Sequence, residues 1–339
     1  MDLRLDRLVE WATAKIRRES DMALEASVDI VSGDASFRRY FRLRGLGRSW
    51  ILVDAPPEKE DNPRFIAIAK EWLAHQVAVP QVIAADIEQG FMLLEDFGDQ
   101  LLWAALHRQD VKESDILSLY RLAIDQLVHL QGVPCKQLPA YDADLLNTEM
   151  ELFRYWLCGQ QLGMDLSAAE NAMLDDTFAL LRSQALAQPV VTVHRDYHSR
   201  NLMVREDGSL GVIDFQDAVA GPATYDLVSL LRDCYVRWPQ SMVDELMAHY
   251  WEQARPEGHY LADWPTFVRD VDLMGMQRHI KAAGIFARLN LRDNKPTYLA
   301  DIPNTCQYLV DISARYDELL PFHDWLQTRF MPELVKLSQ

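Results

Sequence analysis

Apolar residues near the start of the chain recur at helical spacing: Leu5, Leu8, Val9, Ala12 and Ile16 fall on one face. This predicts an amphipathic helix. From about Val28 to Pro57 the texture changes to strand-like stretches broken by turns, SVDIVSGDASFRR, YFRLRG and SWILVDAPP. Pro56-Pro57 ends that run, because proline cannot donate to a β-ladder. Helical spacing returns over RFIAIAKEWLAH (64–75). QVIAADIEQ and GFMLLEDFG then read as two strands joined around Glu88–Gly90. Helix, three strands, helix and two strands predict a small antiparallel sheet with a packed helix.

After about Asp99 the pattern is mostly helical. Ile116, Tyr120, Ala123, Ile124 and Leu127 mark one helix, with Gly132 and Pro134 as stop signals. Another starts at the capping box Ser167-Ala-Ala-Glu170 and runs through Leu174, Phe178 and Leu181. Pro189–Phe215 is the exception, and helical spacing resumes after about Tyr235. The expected fold is α+β with two lobes: a sheet-containing N-lobe over residues 1–98 and a larger, mainly helical C-lobe over 99–339.

Composition narrows the partners. With 339 residues, 49% hydrophobic and 25% charged, the chain can build the core of two lobes. Lys and Arg total 34 against 51 Asp and Glu, and the net charge of -17 repels a nucleic-acid backbone. Cys135, Cys158, Cys234 and Cys306 lie far apart, which points to reduced thiols rather than a zinc site. The N-terminal stretch alternates charged and apolar residues, unlike a signal peptide. No apolar run approaches the ~18 residues needed to cross a membrane. The expected location is the cytoplasm, without nucleic-acid or membrane partners, and no oligomeric state follows from the sequence.

The chemistry concentrates between Pro189 and Asp217. Val190, Val191 and Val193 suggest a short buried strand, followed by the polar stretch HRDYHSRN. Two apolar runs then flank Asp207-Gly208, a hairpin signal. With those two residues at the centre of the turn, Glu206 pairs with Ser209, Val204 with Gly211 and Leu202 with Ile213. Asn201 then stands opposite Asp214, at a Cβ separation of roughly 4.5–5.5 Å. A carboxamide oxygen and a carboxylate at that distance can share a hard cation such as Mg²⁺. Asp196 enters the same hairpin, where its carboxylate can accept a hydroxyl proton during attack on a phosphate.

His194-Arg195-Asp196-Tyr-His-Ser-Arg-Asn201 and Asp214-Phe215-Gln216 resemble the kinase catalytic loop H-R-D-x-x-x-x-N and the metal motif D-F-G. The second histidine, His198, is more similar to the aminoglycoside and choline phosphotransferase branch. Most of the chain resembles the bacterial anomeric sugar kinases that act on N-acetylmuramate and N-acetylglucosamine at C1. The likeness is carried by GDASFRRYFRL (33–43), ILVDAPPE (51–58), GFMLLEDFGD (90–99), IDFQDAVAGPATYDLVSLLRD (213–233) and QRHIKAAGIFARLNLRDNKPTYLADIP (277–303).

The resemblance implies a protein-kinase-like fold, ATP and Mg²⁺ as cofactors, and a sugar acceptor. Asp196 would be the base, Asn201 and Asp214 the metal ligands, and Glu95 and Phe97 neighbours of the adenine. His198, Asp217 and Asp226 are candidates for contacting the acceptor or bracing the loop, with bracing the preferred reading for Asp226. Arg278, Lys281 and Arg288 either form a solvated helix face or meet an anionic acceptor such as the lactyl carboxylate of N-acetylmuramate. Two departures stand out. Asp54, in Ile51-Leu52-Val53-Asp54, stands near the lysine of V-A-I-K, and the glycine-rich loop holds only Gly33. Phosphate contacts are therefore expected from loop N–H groups, Ser36, or an arginine among Arg38, Arg39 and Arg42. The competing readings are a kinase for a cationic aminoglycoside or choline-like alcohol, and a nucleotide-binding regulator without chemistry.

Overall fold

The computed structural model describes residues 2–17, 27–33 and 37–337. Two compact units form, one from residues 1–111 with 200–217 and the other from 112–199 with 218–339. The chain begins α1 (Leu3–Arg17), β1 (Ser27–Gly33), β2 (Arg39–Gly45), β3 (Arg48–Asp54), α2 (Asn62–Ala74), β4 (Val82–Asp86), β5 (Phe91–Glu95) and α3 (Leu102–Leu106). It continues with α4 (Glu113–Gln131), α5 (Ala143–Leu152), α6 (Ala168–Ala187), β6 (Val190–Val193), β7 (Leu202–Val204), β8 (Leu210–Val212) and β9 (Val219–Pro222). The helices α7 (Tyr225–Leu231), α8 (Gln240–Ala254), α9 (Trp264–Asp293), α10 (Ile302–Ser313), α11 (Leu320–Trp325) and α12 (Met331–Leu337) complete it.

In the first unit the predicted order of helix, three strands, helix and two strands holds. The strands form one antiparallel sheet in the order β1-β2-β3-β5-β4. The apolar face of α1 turns inward: Leu8, Ala12 and Ile16 are buried with Phe41, Leu43, Leu52, Phe91 and Leu93. Gly90 closes the β4–β5 turn at φ 72°, and a Cβ there would lie 2.0 Å from the Ala55 carbonyl oxygen, so only glycine fits.

The β7–β8 hairpin belongs to this unit. Val204 N–H donates to Gln100 O and Val212 N–H to Ala78 O, each at 2.7 Å. Phe215 packs on Phe65 and Trp72, with ring centroids 4.8 and 5.6 Å away. A single cut after residue 98 therefore does not describe how the compact units divide. The hairpin lies far along the chain, but its backbone donors are satisfied by N-terminal residues.

The register of the hairpin corrects the sequence-based expectation. Leu202 pairs with Val212, Met203 with Gly211 and Val204 with Leu210, one residue off the predicted pairing. The cause is the turn. Arg205 N–H bonds Ser209 O, and Gly208 takes φ 81°. The loop is thus three residues with a left-handed glycine, a geometry that Asp-Gly also suits.

In the second unit α9, 30 residues long, runs through the core. Leu273, Met276, Ile280, Ala283 and Ala287 pack in one buried cluster with Met150, Phe153 and Leu157 of α5 and its π-helical continuation, and with Leu309 of α10. Asp263 caps the N-terminus of α9 by accepting from Thr266 N–H, and Asn294 ends it at φ 53°. The capping box of α6 forms as predicted, with Ser167 and Glu170 bonding reciprocally. Strand β9, which pairs antiparallel with β6, was not legible in the sequence: it has four residues, no apolar–polar alternation, and ends in Pro222. Among the described residues no helix is long and apolar enough to cross a membrane.

Candidate active site

The His194–Asn201 loop leaves β6 under tight restraint. Asp226, at the start of α7 and fully buried, accepts His194 N–H at 2.6 Å and Arg195 N–H at 3.0 Å. Burial pushes its carboxyl up to about 6, although His194 and the two amides act against the rise. Arg195 takes φ 79°, a region costly for a residue with a long side chain. Asp196 N–H then meets His194 Nδ1 at 3.2 Å, and His198 N–H meets Asp196 O at 3.0 Å.

Asp196 itself is half-buried. Burial works to raise its pKa, but Lys281, His198, Arg278 and Arg195 outweigh this and hold the carboxyl at about 2. His198, lowered mainly by its own burial, is largely neutral near pH 7. The positive field on Asp196 there comes chiefly from the lysine and the two arginines. Asp196 is thus a carboxylate throughout the physiological range, able to orient and accept a hydroxyl proton but weak as a base.

Asn201 and Asp214, the residues expected to share a cation, come together in the first unit. Asn201 Nδ2 lies 3.4 Å from Asp214 Oδ2, and Ile213 N–H bonds Asn201 O at 3.0 Å. The shifted register would by itself turn the two side chains apart. Asp214 offsets the slip by adopting φ 65°, which re-aims its carboxylate. Gln216 adds an oxygen that sequence reasoning missed: its Nε2 donates to Asp214 Oδ1 at 2.7 Å, while its buried Oε1 has no hydrogen-bond partner among the described residues. Carboxylate, carboxamide and an unsatisfied carbonyl oxygen are the donor types a hard cation takes. No group of three or more His, Cys, Asp or Glu among the described residues could hold a metal alone. A cation here would draw further ligands from water and phosphate.

Residues 27–262 match the family model described as "Phosphotransferase enzyme family". The chain belongs to this family. It is 41% identical over 328 residues to a Pseudomonas putida protein named N-acetylmuramate/N-acetylglucosamine kinase, covering 94% of each chain. A Pseudomonas aeruginosa protein of the same name is 43% identical over 290 residues, 85% of this chain and 84% of that one. Among solved structures, a choline kinase from Streptococcus pneumoniae shares the fold with a TM-score of 0.61 at 12% identity, over 89% of this chain and 99% of that one.

In this phosphotransferase several expected contacts are already committed within the protein. Arg42, expected at the nucleotide, bonds Asp96 through Nε (2.6 Å) and Nη2 (2.9 Å), Gly98 O at 2.7 Å, and Asp99. It fastens the segment after β5 to the sheet instead of offering a fork to phosphate. Asp54, near the expected lysine position, is 1% exposed and takes Arg4 Nε at 2.5 Å and Arg39 Nη2 at 2.5 Å. Ser36 lies outside the described residues. Glu95 ends β5, with Arg205 Nη2 at 3.4 Å, and the Phe97 ring lies beneath the Arg205 guanidinium and against Gly211.

The substrate-side expectations change most. Asp226 is spent on the loop amides, which is the bracing role weighed for it and not the acceptor contact. Arg278 and Lys281 do not form a solvated face: both are buried in α9. Arg278 donates to Ser229 Oγ at 2.6 Å and approaches Cys234 Sγ at 3.6 Å. Lys281 donates to the Tyr225 hydroxyl at 2.9 Å and pairs with Glu149 at 3.2 Å. Both therefore shape the field at Asp196. Arg288 is half-buried, and its Nε has no hydrogen-bond partner among the described residues. Asp217 is exposed, whereas His198 is buried edge-on to Tyr235, its Nδ1 without a partner among the described residues. Glu149 and Tyr141, which sequence reasoning also missed, complete the surroundings of Arg195. Their only local hint was the arginine of H-R-D, a half-buried cation that needs a counter-charge.

Proposed function

We propose that this phosphotransferase transfers the γ-phosphoryl group of ATP to the anomeric C1 hydroxyl of N-acetylmuramate and N-acetylglucosamine, giving the sugar 1-phosphates. The observation that carries the reading is the likeness, over nearly the whole chain, to relatives named for those two sugars. The intact set of Asp196, Asn201 and Asp214 supports turnover rather than a regulator that only binds nucleotide. The choice of C1 has a chemical support of its own. The anomeric hydroxyl is the most acidic of a sugar's hydroxyls, and a base held at about 2 is best matched to the most acidic donor.

Asp196 accepts a hydrogen bond from the C1 hydroxyl, orients its oxygen for attack, and takes the proton as the new O–P bond forms. Asn201 and Asp214, with Gln216 beside them, would hold Mg²⁺. When bound, Mg·ATP supplies the phosphoryl group and an ADP leaving group whose charge the metal offsets. Asp226 keeps the loop in place. Arg288, with its unsatisfied Nε, receives the lactyl carboxylate of N-acetylmuramate. Such a step would recover cell-wall amino sugars inside the cytoplasm.

The test is ADP release with Mg·ATP and each of N-acetylmuramate, N-acetylglucosamine, their C1-methyl glycosides and kanamycin, with Asp196→Asn in parallel. Turnover with free sugars alone, lost in the variant, is the expected result. Equal turnover of the methyl glycosides rejects C1, and turnover of kanamycin alone rejects the sugar.

A further inference from the structure

Glu149 of α5 is a buried carboxylate with four neighbours at its two oxygens. Oε1 receives Arg195 Nη2 and Lys281 Nζ, the latter at 3.2 Å. Oε2 receives the Tyr141 hydroxyl, and Gln277 Nε2 lies 3.4 Å away. One side chain thus ties together α5, the catalytic loop, α9 and the segment before α5. Burial works to raise its pKa, but Lys281 and Arg195 outweigh burial and keep it ionised.

What this anchor restrains is unusual. Arg195 immediately precedes Asp196 and holds a left-handed backbone at φ 79°. Arginine has no intrinsic preference for that region, so the surroundings must over-determine it. They do so from both ends. Asp226 takes the Arg195 N–H, Glu149 takes the guanidinium, and Tyr141 lies under the guanidinium with its ring centroid 5.7 Å away. The backbone angles of Arg195 set where the next side chain points.

We infer that Glu149 is a positioning residue for Asp196, acting through Arg195; this rests on the reading of Asp196 as the base. The carboxylate clamps the guanidinium, the clamp stabilises the left-handed turn, and the turn aims the Asp196 carboxylate at the acceptor. Glycine at 195 would adopt the same φ without a clamp. A double-mutant cycle therefore separates this role from a merely structural one.

Steady-state kinetics with N-acetylglucosamine and Mg·ATP, with thermal midpoints and calorimetric Mg·ATP affinity for each variant, form the test. Glu149→Gln is expected to lower kcat about 100-fold, the scale of a misplaced catalytic group, with Mg·ATP affinity within about twofold. Arg195→Gly should lose less. The double variant Glu149→Gln/Arg195→Gly should match Arg195→Gly, so glycine rescues the loss of the carboxylate. Losses that multiply in the double variant overturn the inference, as does a Glu149→Gln kcat within about threefold of the unsubstituted enzyme. If Asp196→Asn retains activity, it is the base assignment that fails. Should Glu149→Gln not fold, the charge-conserving pair Glu149→Gln/Lys281→Met carries the same comparison with and without Arg195→Gly.

Discussion

Two glycines on one helix should respond to alanine with opposite signs. At Gly284 of α9 an added Cβ would lie 2.4 Å from both Leu152 C and Phe153 N, and 2.7 Å from Leu152 O. All three atoms are backbone, at the joint where α5 passes into its π-helical turn, so no side chain can swing away. Relief requires α9 and α5 to separate, an overpacking cost of about 3 kcal/mol, toward the upper end of the usual range. Alanine recovers about 1 kcal/mol of helix propensity, leaving a net loss of about 2 kcal/mol. At Gly275 the nearest atoms are Arg232 Nη1 at 3.4 Å and Val228 Cγ1 at 3.5 Å, ordinary contact distances. There only the propensity gain of up to about 1 kcal/mol remains. The assay is urea unfolding of both variants beside the unsubstituted protein, with equal m-values as the check that midpoints report stability. Gly284→Ala should unfold at lower urea and Gly275→Ala at equal or higher urea. Gly284→Ala should also lose kcat while still folded, because Lys281 of α9 and Glu149 of α5 face each other across the same pair of helices. A Gly284→Ala protein as stable as the unsubstituted one would refute the packing argument.

Asp196→Asn should lower kcat about 10²–10⁴-fold, the usual worth of a positioned proton acceptor. Because the Asp196 carboxyl sits at about 2, its protonation should produce no acid limb in kcat between pH 5 and 8; a limb in that window abolished by no substitution except at Asp196 would contradict this. Asp226 has the opposite sign: its folded value of about 6 lies above the ordinary 3.8, so its protonated form contributes stability present below about 4 and lost as pH rises through 6. Asp226→Asn should flatten that part of the stability–pH curve, read from urea midpoints. Arg288→Gln should raise KM for N-acetylmuramate about tenfold and leave N-acetylglucosamine within about twofold, the worth of one charge-assisted contact to a carboxylate. Equal effects on both sugars would remove Arg288 from the lactyl site. Gly211→Ala would place a Cβ 2.4 Å from the Phe97 ring, and calorimetry should show weaker Mg·ATP binding if Phe97 lies at the adenine.

Periodicity was enough to read α1, the five strands and the helix of the first unit in chain order, and the capped start of α6, because those signals are local: side-chain spacing, proline and the reciprocal Ser167–Glu170 cap. Motif spacing likewise made Asp196, Asn201 and Asp214 the candidates, and the hairpin does bring Asn201 and Asp214 together. The hairpin register failed for an equally local reason. Asp-Gly serves a two-residue turn and a three-residue turn alike, and only the fold selected the left-handed Gly208 and the compensating φ at Asp214.

Polar partners were beyond the sequence. Arg278 and Lys281 read as a charged stripe, and a stripe gives no sign of whether water or a core lies opposite it. Packing put α9 in the core, so both cations had to find Ser229, Tyr225 and Glu149. Arg42 read as a phosphate ligand until the folded sheet set it against Asp96 and Asp99. The chain by itself determined most of the elements and which residues are candidates for phosphoryl transfer, because propensities and short-range spacing act within a few residues. Tertiary structure alone decided which charges are buried and whom they pair with. The cost of taking a charge out of water depends on what surrounds it in space, and those neighbours are distant in the chain.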